Sequence, residues 1–579
     1  MKLIAILLCS FGIHLLSAQS FSSHYIKMSD GVQLAADVYI PDSLEGEKLP
    51  VLVQFERYWR SSQTRKTKDE SPKLYGISKL FSENGYVIVV VDTRGSGASY
   101  GTRLSEYQPQ EVEDAGEVLD WIVAQSWSNG KVGAYGTSYT GTTAELLCAT
   151  KHPAVKAVIP GWSDFDLYRS SVRPYGMLAS SFIRKWGLYV RWLDRNRSFF
   201  LRSEVRPVGE KLPKQVKKDH RKNLKVYRTT KKAEFRDEDM GSYGYDECSV
   251  INWKDEIEES DVPMFIPVSW MDAGTAEGAI ERLKNFSNDQ KVLFMSTSHG
   301  GWSHASPFVV GDSTIYPTPR YEVQCKMQLE FFDHHLKGED NGVDDWPMVR
   351  YYNMGEEKFH ESDQWPVEGT EMANFYFQKD GGLSLEKPEE ITGMDEYKVG
   401  FGVTTGERNR WTTQMGDPVL SLNQRQEMDA RMLTYTTPPL EEDLQITGTP
   451  KITLELASTH EDGAVLVYLE VLDDQGNSIY VTEGGLRLIH HKITGDGYND
   501  HLHSFRKRDE QPMLPGASSK IVLNLMPTSV LIKKGYRLRI AIAGADKDTF
   551  DKLPKRGKPT LSIFRNAELH SFVTLPVVK

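Results

Sequence analysis

The sequence predicts an α/β core that is interrupted by a helical insertion and followed by an all-β domain. Three observations carry that reading. Apolar strand runs alternate with helical spacings from about residue 32 to residue 295, the rhythm fails between Asp166 and Asp261, and beyond Trp346 short alternating strands take over. At 579 residues the chain exceeds what one hydrophobic core usually supports, so several domains are expected.

The N-terminus comes first. Met1-Lys2 carries positive charge, and Leu3 to Leu16 is an apolar run too short to span a membrane comfortably. Leu16-Ser17-Ala18 supplies small residues before Gln19, so residues 1–18 read as a signal peptide cleaved after Ala18. The expected location is therefore secreted or periplasmic. Cys9 lacks the small residue that precedes a lipid-anchored cysteine, which favours a soluble exported protein over a lipoprotein. Cys148, Cys248 and Cys325 make neither a disulfide framework nor a closely spaced metal pair. No other stretch is apolar for long enough to cross a bilayer, and a net charge of -11 argues against a general nucleic-acid binder.

The core is expected over residues 19–165 and 262–345. Val32 to Ile40 is a strand ending at Pro41, Val51 to Phe55 is another, and Tyr86 to Val91 is the near-continuous β-branched run of a strand buried on both faces. Val112 to Gln125 has helical spacing, Val132 to Tyr135 is a short strand, and Thr142 to Thr150 continues as a helix. Val155 to Ile159, Met264 to Val268 and Val292 to Met295 complete a mostly parallel sheet. Residues 166–261, rich in Arg, Lys and aromatics and without a good strand, are expected to form a helical cap; the basic run Lys211 to Lys232 reads as a solvated helix face, with attraction of an anionic substrate or partner as the alternative. Residues 346–579 are expected to form a jelly-roll β-sandwich from strands Lys451 to Leu456, Val465 to Leu472, Ser478 to Val481, Ile521 to Leu525 and Leu538 to Ile542, separated by turns such as Asp474-Gln475-Gly476-Asn477 and Lys534-Gly535.

Gly136-Thr137-Ser138 falls between a strand and a helix. A serine on such a sharp turn projects its hydroxyl above the sheet, at the positive end of the following helix, as in an α/β-hydrolase core. A nucleophilic serine needs a base and a carboxylate to orient that base, and in this fold they follow it in chain order at later strand ends. Asp272, in Trp270-Met271-Asp272, and His299, in Ser298-His299-Gly300, stand at those places. His304, in Trp302-Ser303-His304, is the competing base.

Several motifs in order then resemble the cocaine esterase and X-Pro dipeptidyl-peptidase family of serine hydrolases. They are Ile26 to Pro41, Asp92-Thr93-Arg94-Gly95, Trp127-Ser128-Asn129-Gly130-Lys131-Val132-Gly133, Gly136 to Gly141 with its second glycine one place late, and Thr482 to Arg487. The resemblance implies Ser138 as nucleophile, Asp272 as orienting acid and His299 as base. It also implies an oxyanion hole of the Tyr139 N–H and the Tyr58 hydroxyl. Met295-Ser296-Thr297 stands where members usually carry Gly-Pro-Trp, and Met271 replaces a tyrosine; both changes bear on the pocket wall. Ala273-Gly274-Thr275-Ala276 lacks the carboxylates of members that take α-amino acid esters, and Glu277 is expected a turn or more away.

The activity so predicted is acyl transfer from a small ester or amide to water, with no cofactor and no metal. The alternatives are an X-Pro dipeptidyl-peptidase, for which no amine site is legible, and a glycan-binding protein with an inactive core. Gly95-Ser96-Gly97 lacks the full phosphate-loop pattern. His490-His491 has no zinc partners at ligand spacing and reads as an exposed feature of a strand.

Overall fold

The computed structural model describes residues 19–44, 46–197, 202–309, 319–416, 425–495 and 502–579. The expected signal peptide, residues 1–18, lies outside the described residues. Ten strands form one sheet: β1 (Gln19–Lys27), β2 (Gln33–Pro41), β3 (Leu49–Glu56), β4 (Val87–Asp92), β5 (Ser128–Thr137), β6 (Val155–Gly161), β7 (Met264–Ser269), β8 (Gln290–Met295), β9 (Val349–Asn353) and β10 (Lys358–Ser362). Their spatial order is β1-β2-β4-β3-β5-β6-β7-β8-β9-β10. Neighbours from β4 to β9 run parallel, and antiparallel strands close both edges.

The β-branched run at β4 is buried throughout, as its composition dictates, and alternation sends its side chains to two cores. Val51, Val53, Val87, Val89 and Val91 pack on one face with α2 (Pro109–Val123), α3 (Tyr139–Leu146) and α8 (Thr275–Asn285). Leu52, Ile88, Val90 and Tyr135 pack on the other with Phe81 of α1 (Gly76–Glu83) and Phe331 and Phe332 of α9 (Tyr321–Phe332). Three strands were not legible as such. β1 pairs with β2 over its whole length, and β9 and β10 extend the core sheet past Trp346, where the sequence changes character.

The insertion carries α4 (Ser180–Leu193), α5 (Lys214–His220), α6 (Val226–Thr230) and α7 (Lys254–Ser260). It also holds a two-residue strand, Glu204–Val205, which pairs with Ser62–Gln63 of the core. In the basic run Val216, His220, Val226 and Thr230 are buried and the lysines are exposed, the amphipathic division of a solvated face. Beyond β10 every ladder among the described strands is antiparallel, in a nine-stranded and a four-stranded sheet. The expected exposed histidine pair is instead buried: His490 ends a 3-10 turn after Ser478–Arg487 and packs edge-on against Phe235 of the insertion. The insertion and the all-β region are joined by polar contacts, including Arg487 to Glu234 at 3.1 Å and Arg506 to Asp246.

No helix among the described residues is long and apolar enough to cross a membrane. Cys148, Cys248 and Cys325 are free and buried. The Gly95-Ser96-Gly97 turn wraps a carboxylate of its own: Ala98 N–H donates to Asp92 Oδ2 at 2.7 Å, and a methyl on Gly97 would collide with that group.

Candidate active site

Ser138 stands between β5 and α3 with φ 63° and ψ -125°, a conformation that non-glycine residues rarely adopt. Holding it there costs about 1–3 kcal/mol. The surroundings make the turn obligatory. Its N–H donates to Gly161 O at 3.0 Å, and the Thr142 N–H reaches back to Ser138 O at 2.9 Å. A methyl on Gly136 would lie 2.3 Å from the Thr140 carbonyl carbon, and one on Gly141 would lie 2.4 Å from Gly161 O. The late glycine is therefore required where α3 crosses β6. Below the turn the Tyr139 ring is pinned, its hydroxyl donating to Glu111 at 2.6 Å and accepting from Arg103 at 2.6 Å. Further along α3, buried Glu145 takes a bidentate pair from Arg282 of α8 at 2.6 and 2.7 Å.

Asp272 and His299 come from the loops after β7 and β8. Those loops are laced together, because the Ser269 hydroxyl donates to Thr297 O at 2.6 Å and accepts from the Thr297 N–H at 2.9 Å. Asp272 is fully buried, and its Oδ2 lies 2.7 Å from His299 Nδ1. A carboxylate can only accept, so Nδ1 carries a proton, and in the neutral imidazole Nε2 presents a lone pair. Nε2 is buried and has no hydrogen-bond partner among the described residues. Its loop abuts the serine turn, since a methyl on Gly300 would meet Thr137 Cγ2 at 3.5 Å. Burial opposes charge on the imidazole, but the Asp272 charge and hydrogen bond, with Asp164 beyond, raise its pKa above the ordinary histidine value. The competing His304 is not on this carboxylate; its Nε2 stands 3.6 Å from Glu357.

The second oxygen of Asp272 is held from far away in sequence. The Thr413 hydroxyl donates to Oδ1 at 2.6 Å and shares its proton with Arg410 O at 2.7 Å. Arg410 lies buried between the two regions, bonded to the Trp270 carbonyl and, at 3.2 Å, to the Thr482 hydroxyl. The Trp411 indole donates to Glu483 at 2.6 Å, so the Thr482 to Arg487 motif backs the loop that reaches the site. Glu277 faces away into an ion pair with Arg169 at 2.6 Å.

Ser138 opens into a cavity walled by apolar side chains that include Leu167, Val172, Phe182, Ile183 and Met240. Tyr58 stands in it with a hydroxyl that accepts from Trp186 Nε1 at 3.0 Å. Burial pushes its pKa well up, the Trp186 hydrogen bond opposing, so it is a neutral phenol. The Tyr139 N–H occupies the first position of α3, where no intrahelical acceptor exists. Two carboxylates also line the cavity, Asp164 and Glu106. Burial raises the Asp164 pKa against the Ser171 hydroxyl bonded to it, while Glu106 Oε1 is buried without a partner among the described residues. Among the described residues no three His, Cys, Asp or Glu side chains are grouped to hold a metal ion. Trp186, Thr413 and Asp164 carry no motif, and each is far in sequence from the residue it serves.

Residues 30–305 match the X-Pro dipeptidyl-peptidase (S15 family) model, and residues 341–572 match that of the X-Pro dipeptidyl-peptidase C-terminal non-catalytic domain. A Mycobacterium bovis protein named as a serine esterase is 35% identical, over 96% of this chain and 95% of its own length. The cocaine esterase of a Rhodococcus species is 24% identical, over 96% of this chain and 98% of its own. A CocE/NonD family hydrolase from Staphylococcus aureus shares the fold, with a TM-score of 0.73 at 19% identity over 96% of this chain and 93% of its own.

Proposed function

The chain belongs to the cocaine esterase and X-Pro dipeptidyl-peptidase family of serine hydrolases, and on that premise we propose that it hydrolyses a carboxylic ester, or an amide, through an acyl-enzyme on Ser138. His299 Nε2 takes the proton from the Ser138 hydroxyl as its oxygen attacks the carbonyl carbon. Asp272 keeps the other proton on Nδ1 and stabilises the imidazolium that forms. The Tyr139 N–H and the Tyr58 hydroxyl receive the oxyanion. His299 then protonates the leaving group, and water repeats the sequence in reverse to free the acid.

The observation that carries this reading is the 2.7 Å Asp272–His299 bond, which leaves a bare Nε2 on a loop packed against the strained serine turn. The Ser138–His299 hydrogen bond is not yet made among the described residues, as is common for catalytic pairs that tighten only when substrate binds. The apolar cavity walls favour an apolar acyl group. One observation favours a second reading, release of X-Pro dipeptides. Asp164, which lines this cavity, is the carboxylate that a free amine would require; Glu106 lines it too, but is already ion-paired with Arg57 at 3.2 Å and Arg103 at 3.3 Å.

The test is hydrolysis of p-nitrophenyl acyl esters of rising chain length beside an X-Pro p-nitroanilide, with Ser138→Ala as control. Ester turnover that falls by about 10⁴-fold or more in the mutant is expected; full activity in Ser138→Ala would refute the mechanism. Turnover of the anilide alone would select the second reading. Export behind a signal peptide belongs to the same proposal, and N-terminal sequencing of the mature protein should begin at Gln19.

A further inference from the structure

The insertion reaches the oxyanion side of the cavity through one helix. Trp186 and Tyr189 lie three residues apart on α4, hence on one face of it. The Tyr189 ring stacks on Tyr58, with centroids 5.8 Å apart at 30°. The Trp186 indole N–H reaches the Tyr58 hydroxyl at 3.0 Å. On its other side the Tyr58 ring meets Tyr139 edge-on at 6.2 Å. The ring is thus clamped, but a clamp does not decide where a hydroxyl proton points.

The indole decides it. An indole N–H can only donate, so the phenolic oxygen is the acceptor in that bond. Its single proton must then lie away from Trp186, and the hydroxyl donates to no acceptor among the described residues. Tyr58, Trp186 and Ser138 all line the same cavity. A phenol whose lone pair is engaged by a donor is also a better donor through its own O–H, because linked hydrogen bonds polarise one another.

We infer that Trp186 is a positioning residue for the oxyanion site, its indole N–H occupying a lone pair of the Tyr58 hydroxyl so that the phenolic proton is presented to the carbonyl oxygen of the substrate. The inference rests on Tyr58 serving as an oxyanion donor. It makes the insertion a working part of the transition-state site and not merely its roof. A bare core would leave that hydroxyl free to rotate, and the bond to the oxyanion would have to be organised during the reaction.

A four-protein cycle on p-nitrophenyl butyrate tests it, using wild type, Trp186→Phe, Tyr58→Phe and the double variant. Trp186→Phe keeps an aromatic ring against Phe182 and deletes the donor. It should lower kcat about three- to tenfold with KM changed less than twofold. Tyr58→Phe should lower kcat by roughly 10²-fold, and adding Trp186→Phe to it should change kcat no further. Trp186→His, which keeps an N–H on a smaller ring, should recover part of the loss. If Trp186→Phe costs as much on top of Tyr58→Phe as it does in the wild type, the indole only packs, and the inference is overturned. So it is by an unchanged kcat in Trp186→Phe while Tyr58→Phe falls. A flat Tyr58→Phe would overturn both the inference and the donor role beneath it.

Discussion

The two sides of Ser138 are held by different parts of the chain and by different forces. On the side of Asp272 and His299, support comes from beyond the core sheet, through Thr413, Arg410 and the Thr482 to Arg487 strand end, and it is polar and fully buried. On the side of Tyr58, support comes from α4, through two aromatic rings and one hydrogen bond. A buried charge cannot tolerate a lost partner, because the desolvation cost of the orphaned group is then unopposed. An aromatic contact weakens gradually when a neighbour changes. The region matched to a C-terminal non-catalytic domain is thus expected to govern the chemical step more strictly than the insertion that roofs the substrate.

The largest effect should come from the shared carboxylate. Asp272→Asn keeps the shape but removes the acceptor that fixes the His299 tautomer, and kcat should fall about 10⁴-fold in a steady-state ester assay. A fall of less than tenfold would break the comparison at its strongest point, and would direct attention to His304 and Glu357 as the working pair. Next is Thr413→Val, nearly isosteric, which leaves Asp272 Oδ1 buried without its donor. A hydrogen bond to a charged group contributes about 1.5–3 kcal/mol, so kcat should drop roughly ten- to a hundredfold. The comparison requires this loss to exceed that of Trp186→Phe. If the two variants prove equal, the polar side is no stricter than the aromatic one.

What was legible in the sequence follows the same division. The central strands were readable because burial on both faces demands continuous β-branched runs, as at Val87–Asp92. The positions of Ser138, Asp272 and His299 were readable because each stands at a strand end, and the roles given to them belong to the proposed mechanism. β1 was not, because Gln19-Ser20-Phe21-Ser22-Ser23 alternates weakly and gains its order from pairing with β2. The histidine pair misled, since packing at the junction with the insertion is decided by residues such as Phe235, remote in sequence. Thr413 and Trp186 were invisible for the same reason. Thr413 lies 141 residues from Asp272 and Trp186 lies 128 from Tyr58, and a lone Thr or Trp has no spacing to betray it.

The smallest effect sharpens the comparison most, because it separates charge from structure. Asp164 lines the cavity with no arginine or lysine bonded to its carboxylate among the described residues, and its charge favours the protonated form of His299. In the proposed mechanism the base works only when Nε2 is unprotonated, so activity should be lost as the pH falls through the pKa of His299. With that pKa raised by Asp272 and Asp164 against burial, the acid limb of kcat/KM should lie above the ordinary histidine value of about 6.5. Asp164→Asn removes one of the raising charges and keeps the shape of the side chain. The acid limb should therefore move to lower pH while the plateau at high pH stays within about threefold of wild type for a neutral ester. An unmoved limb would leave Asp272 as the sole electrostatic control of the base, and the acid–base side would then depend on nothing inside the cavity.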